Sequence, residues 1–230
     1  MSEKSNQFLG KGMYTVAEAA MYCRVTTKLM TRWLFGNASA EAVMVPQFGT
    51  AERLVSFIDL VQTLAIREIR NHYKVPLPKI REAIKYAEEE WELYHPFARH
   101  HCTYLLNDKL IIRPVQDKDE FVEASGKKKG QRLIPFVEMY LKSLDFDPDG
   151  LAHKYRIFSS NHRKPVAVTM DPKVRFGEPL LPSGYTALTI YEGIKAEGGV
   201  TQAAKAYGIS VKEAEAAYQF ADHLSPKSAA

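Results

Sequence analysis

Arg24, Thr27, Lys28, Thr31 and Arg32 are side chains of the types that touch nucleic acid. Arg and Lys neutralise phosphate, Arg reads a guanine edge through two parallel N–H donors, and Thr reaches phosphate or base. Positions 27, 28, 31 and 32 fall on one side of an α-helix, because residues four apart share a face. Leu29, Trp33 and Leu34 remain for packing. A second pair of cations, Lys173 and Arg175, lies between Pro172 and Pro179. A guanidinium there could pair bidentately with a carboxylate cluster on another protein and exclude its metal. The same two side chains could equally be solvated or hold their own segment together.

Other chemistries lack their residues. There is no Gly-x-Ser-x-Gly, no His-Glu-x-x-His, no phosphate-binding loop and no dinucleotide fingerprint, so the reading is non-enzymatic. His100-His101-Cys102 has no second Cys or His pair at finger spacing. Asp145-Phe146-Asp147-Pro148-Asp149-Gly150 has a proline inside the would-be calcium loop and no terminal Glu. No metal and no cofactor is expected. Lys127-Lys128-Lys129, flanked by Gly126 and Gly130, reads as a solvated loop tip.

The 230 residues are 46% hydrophobic and 25% charged, enough apolar surface for a core and too much for a chain disordered throughout. No apolar run is long enough to span a membrane, the first residues do not resemble a signal peptide, and Cys23 and Cys102 make no disulfide framework. The cytoplasm is the expected compartment. The formal net charge is +4. Residues 1–95 carry 12 Lys and Arg against 11 Asp and Glu, residues 96–170 carry 13 against 9, and residues 171–230 carry 6 against 7. A DNA-binding reading must therefore rest on local geometry rather than bulk charge.

Three blocks follow, in an expected α+β fold. In residues 1–95, Thr15 and Glu18 form a capping box for a helix ending near Tyr22. Cys23-Arg24-Val25 is a turn with a buried Val, and Thr26 or Thr27 caps a second helix to about Leu34. Phe35 to Phe48 suits a wing hairpin. Ser56 and Asp59 open a helix to about Tyr73. After Pro78, a stripe of Ile80, Ala83, Ile84, Ala87, Trp91 and Tyr94 predicts another helix, stopped at His95-Pro96. Residues 96–170 read as a small β-rich module. It has strands at 103–106 and 109–113 around Asn107-Asp108, strands at 121–124 and 131–134, a short helix from Phe136 to Leu144, and strands at 152–158 and 166–169. Residues 171–230 read as three helices: Leu188 to Glu197, Thr201 to Tyr207, and one capped by Ser210 and Glu213 that runs to His223. Ile209 is the expected buried turn residue, and Ala214, Ala217, Tyr218 and Ala221 the expected stripe. The last helix is acidic, which suits a protein partner better than phosphate.

Two resemblances emerge. Tyr14-Thr15-Val16-Ala17-Glu18-Ala19-Ala20, the basic second helix, Arg53-Leu54-Val55-Ser56-Phe57-Ile58-Asp59-Leu60, and Ile69-Arg70 with Lys79-Ile80-Arg81-Glu82-Ala83 resemble the winged helix-turn-helix of MerR-type DNA-binding proteins. That implies base readout by the second helix and backbone contacts from the wing. The chain departs from the pattern at Pro96, where the usual long dimerising helix cannot continue. Asp171-Pro172-Lys173-Val174-Arg175-Phe176-Gly177-Glu178-Pro179, Glu197-Gly198-Gly199-Val200-Thr201-Gln202-Ala203-Ala204, Tyr207-Gly208-Ile209-Ser210 and Glu213-Ala214-Glu215-Ala216-Ala217 resemble a three-helix domain of bacterial antitoxins. Together they are similar to a VapB-type antitoxin. That resemblance implies a PIN-domain ribonuclease toxin as partner and the protein's own operator as DNA target. A homodimer is expected, since a two-fold protein matches a palindromic operator. The alternative is a MerR-like regulator whose middle module senses a small molecule.

Overall fold

Side-chain oxygens at helix starts organise much of the chain. The computed structural model describes residues 10–99, 101–106, 109–114, 131–133, 142–158 and 165–224. Among the described residues, seven α-helices and small antiparallel sheets make the fold α+β. Among the described residues no helix is long and apolar enough to cross a membrane. The chain divides into two compact units, Tyr14–His153, and Lys154–Ala230 with Met1–Met13.

The first unit opens with β1 (Tyr14–Thr15), α1 (Val16–Tyr22) and α2 (Thr27–Phe35). It continues through β2 (Leu54–Val55), α3 (Phe57–Tyr73) and α4 (Leu77–Trp91). A 3-10 turn (Pro96–Ala98) leads to β3 (His101–Leu106), β4 (Lys109–Pro114), β5 (Gln131–Leu133) and β6 (Leu144–Phe146). Strand β1 pairs antiparallel with β2, setting Tyr14 opposite Val55. β3 lies between β4 and β5, with Leu106 opposite Lys109. The core gathers around α3, whose Phe57, Leu60, Val61, Leu64, Ile66 and Ile69 are buried. Met30, Trp33 and Leu34 of α2 are buried too, as are Ile80, Ala83, Ile84 and Ala87 of α4. Burying a large side chain of this kind stabilises a fold by about 1.5–3 kcal/mol.

The chain enters the second unit within β7 (Ala152–Phe158). The reason is pairing: β7 takes β8 (Ala167–Met170) alongside, with Tyr155 opposite Met170, and β8 takes β9 (Pro179–Leu180), with Thr169 opposite Leu180. Three helices follow, α5 (Ala187–Ala196), α6 (Val200–Tyr207) and α7 (Val211–Leu224). Their shared core is small-residue rich: Ala187, Ile190, Ile194, Ala203, Ala204, Ala214, Ala217, Phe220 and Ala221. Gly193 lets the Tyr207 ring lie against α5, because a Cβ there would stand 2.8 Å from the ring Cζ and Oη.

Several local expectations need correcting. Phe35 to Phe48 is not a strand hairpin: it is a loop with a single bridge, Asn37 to Ala40. The helix on Pro78 ends at Trp91, where Glu92 turns left-handed (φ 50°), so Tyr94 leaves the stripe and is exposed while Trp91 is half-buried. Leu29 and Val25 are half-buried; Met30 and Cys23 take the interior positions instead. Ile209 is half-buried and Tyr218 exposed, with Ala216 and Phe220 buried in α7. Leu144 belongs to a strand, not to a helix end. His100, the Asn107-Asp108 turn, the strand at 121–124, the lysines at 127–129, the helix body from Phe136 and the tail from Ser225 lie outside the described residues.

Candidate nucleic-acid interface

The polar face of α2 is built by three local devices. Thr15 and Glu18 close the capping box of α1: the Glu18 amide donates to Thr15 Oγ1 at 3.2 Å and the Thr15 amide to Glu18 Oε2 at 2.8 Å. The turn then reverses the chain through Arg24 in the left-handed region (φ 52°), with the Val25 amide bonded to the Ala20 carbonyl at 3.0 Å. Such a conformation costs a residue with a Cβ about 1–2 kcal/mol, so neighbours must hold it. Arg67 on α3 does so: its Nη1 donates to the Cys23 carbonyl at 2.7 Å, and its guanidinium pairs with Glu68. Cys23 is fully buried, and burial pushes its thiol up to about 12, so it packs rather than reacts. Finally Thr26 caps α2, accepting from the Leu29 amide at 3.2 Å.

With Met30, Trp33 and Leu34 turned inward, the opposite face of α2 carries Thr27, Lys28, Thr31 and Arg32, with Arg24 in the turn before it. Thr27, Lys28 and Arg32 are exposed, whereas Thr31 and Arg24 are half-buried. Neither Lys28 nor Arg32 is paired with a carboxylate among the described residues. The face therefore offers two available cations and hydroxyls between them, a set that can bind phosphate and base edges.

The loop after α2 sits beside this face through contacts that no local pattern reveals. Gly36 has φ 67°, and a Cβ there would stand 2.9 Å from both the Ala40 carbonyl oxygen and the Ala42 nitrogen, so only glycine fits. The Val43 amide donates to the Trp33 carbonyl at 2.7 Å. Arg81 on α4 reaches across to the carbonyls of Ala42 and Glu41, at 2.8 and 2.7 Å. Arg53, exposed and left-handed (φ 52°), lays its guanidinium 4.9 Å from the centroid of the Phe35 ring at the end of α2. Arg53 is a cation that the periodicity argument does not pick out, because its place beside α2 depends on the Phe35 ring. Stacking leaves its N–H donors free toward phosphate while limiting side-chain freedom.

The second expected pair belongs to the other compact unit. Arg175 is engaged at home. Its Nε lies 3.1 Å from Glu178 Oε2 and its Nη1 donates to the Gly184 carbonyl at 3.3 Å. Arg175 and Phe176 are both left-handed (φ 45° and 56°) and the Met13 amide holds the Phe176 carbonyl at 3.0 Å. Lys173 is exposed, its backbone amide tied to Asp171 Oδ1 at 2.9 Å. Val174 and Phe176 are exposed alongside it.

No protein-family profile matches the sequence, and no curated protein matches it. Among solved structures, the crystal structure of Rv2018 from Mycobacterium tuberculosis is similar, with a TM-score of 0.58 and 20% identity over 89% of this chain and 96% of that one. At that identity the likeness is one of fold.

Proposed function

We propose that the protein is a non-enzymatic, cytoplasmic antitoxin that binds its own operator as a homodimer and neutralises a PIN-domain ribonuclease encoded beside it. The observation that carries the DNA half is the outer face of α2, where Thr27, Lys28 and Arg32 are exposed on a helix whose opposite side is locked into the core. Thr31 and Arg24 flank that face, and Arg53 extends its charge at the helix end. Two such faces, one per protomer, would sit about one turn of DNA apart on a palindromic site. The toxin half rests on the resemblance of residues 171–230 and on their composition: α7 is acidic and suits a protein partner. Of the two expected cations, Lys173 is exposed beside Val174 and Phe176, which supports its meeting a carboxylate cluster, whereas Arg175 already serves Glu178 and Gly184.

The experiment is co-expression of the full chain with the neighbouring ribonuclease, scored by co-purification and loss of ribonuclease activity, together with operator binding by the purified chain. Binding to the upstream DNA with a steep salt dependence, and co-purification weakened by Lys173→Glu, is the expected result. A chain that leaves the ribonuclease active and shows no preference for its upstream DNA refutes the reading.

A further inference from the structure

Phe176 stands where a bulky side chain rarely stands. Its backbone is left-handed (φ 56°), Arg175 before it is left-handed too (φ 45°), and Gly177 continues with φ 91°. That region is unfavourable for any residue with a Cβ, so the surroundings must hold it. The Met13 amide donates to the Phe176 carbonyl at 3.0 Å. Arg175 Nε meets Glu178 Oε2 at 3.1 Å, and its Nη1 donates to the Gly184 carbonyl at 3.3 Å. The turn that Arg175 reaches is itself fixed: the Ser183 amide donates to Glu213 Oε1 on α7 at 2.9 Å, and the Leu181 amide to the Tyr185 carbonyl at 2.9 Å. None of these bonds buries the ring. Phe176 is 53% exposed, and Met13, Val174 and Tyr185, on the same tied stretches, are exposed as well. A costly backbone conformation that leaves an aromatic ring open to solvent does not serve the core.

The charges of this segment decide what can cover it. Asp171 Oδ2 is neutralised by Lys154 at 3.3 Å and Glu178 by Arg175. Lys173 is exposed and pairs with no carboxylate among the described residues. The patch thus carries a single uncompensated cation. A second copy of the same patch would bring another cation and no carboxylate to meet it. An anionic lipid surface recruits clusters of about four to eight cations, and a nucleic-acid backbone would be repelled by the two carboxylates. A protein surface with an apolar pocket and a carboxylate at its edge fits both features, since interfaces are anchored by aromatic rings in central pockets and ringed by polar contacts. We propose that Phe176, with Val174 beside it, is the anchor that this unit inserts into an apolar pocket of its protein partner, while Lys173 meets a carboxylate at the pocket's edge. The proposal rests on the reading that the partner is the neighbouring ribonuclease, and it moves the strength of that contact from the cations to the ring. The bonds that hold residues 175 and 176 left-handed fix the ring's backbone before the partner arrives, so less freedom is lost on binding.

The test is calorimetric titration of the full chain against the purified neighbouring ribonuclease at low and high salt, with urea unfolding of each variant alone. Phe176→Gly removes the ring and relieves the left-handed backbone. The expected result is an affinity lowered by about 30-fold or more, with an unfolding midpoint equal to or above that of the wild type. Phe176→Asn, which also suits that backbone, should behave alike. Lys173→Glu should weaken binding most at low salt. Phe158→Ser, which removes a ring 50% exposed on β7, should bind as the wild type does. Four results overturn the proposal and leave the ribonuclease reading standing: wild-type affinity in both Phe176 variants, affinity losses matched by falls in their unfolding midpoints, an equal loss in Phe158→Ser, or a wild-type dimer that Phe176→Gly turns into a monomer in sedimentation. A wild-type chain that does not bind the ribonuclease refutes that reading and the proposal with it.

Discussion

Replacing Gly193 by alanine sets two opposing effects against each other in the second unit. Alanine in a helix interior is favoured over glycine by about 1 kcal/mol, so on propensity alone the change stabilises α5. The new Cβ, however, would stand 2.8 Å from Cζ and Oη of Tyr207, and closer still to Cε2. Moving the ring aside would disturb its perpendicular contact with Tyr185, whose ring centroid lies 5.5 Å away. Overpacking of this kind costs about 1–3 kcal/mol. The balance is a net loss of roughly 0–2 kcal/mol, with a melting point lowered by roughly 4–8 °C for each kcal/mol in a unit of this size. The decisive measurement is a double-mutant cycle in urea, followed by far-UV circular dichroism. In a Tyr207→Leu background the clash is gone, and Gly193→Ala should then stabilise by about 1 kcal/mol. If Gly193→Ala stabilises the wild type as much as it stabilises the Tyr207→Leu protein, the ring does not occupy the glycine face and the packing argument is refuted.

Other outcomes are equally specific. Arg32→Ala should cost operator binding about 1–3 kcal/mol and relax preference at one base pair, whereas Lys28→Ala should weaken all sequences alike and reduce the salt slope by about one, both read by titration at several salt concentrations. Arg53→Ala should reduce the salt slope similarly, and Phe35→Leu, which removes the platform and keeps the charge, should cost less than Arg53→Ala in the same assay. Leu34→Ala, at a fully buried position, should destabilise by about 2–5 kcal/mol in urea unfolding. Cys23 should resist alkylation at pH 8 until the protein is denatured, as peptide mass mapping would show, because burial holds its thiol up at about 12.

What could be read from the sequence was local. The Thr15–Glu18, Ser56–Asp59 and Ser210–Glu213 boxes form because a short side chain and a carboxylate three residues on satisfy each other's amides, a bargain visible in four letters. The buried stripe of α3 follows from period alone. What escaped depends on distant partners. Where wing strands were expected there is a loop, and its Ala42 and Glu41 carbonyls are held by Arg81, some forty residues further along. Tyr94 falls out of its stripe because Glu92 bends the chain before the stripe ends. The buried face of Asp59 was invisible too: its place as a cap was legible, but its bond to Gln47 was not. At the candidate interface, the period picked out Lys28 and Arg32, while Arg53 needed the position of the Phe35 ring.

The bond between the Met13 amide and the Phe176 carbonyl has a consequence for biosynthesis. The partner of Met13 is made about 160 residues later, which at ribosomal speeds of about 5–20 residues per second is a wait on the order of ten to thirty seconds. During that interval the unit from Tyr14 to His153 has emerged and can fold, while Met13 still lacks its Phe176 partner. Met13 thus leaves the ribosome well before the residue that its amide bonds. A bulky fusion ahead of Met13 should therefore impair the C-terminal unit more than the unit to which it is adjacent in sequence.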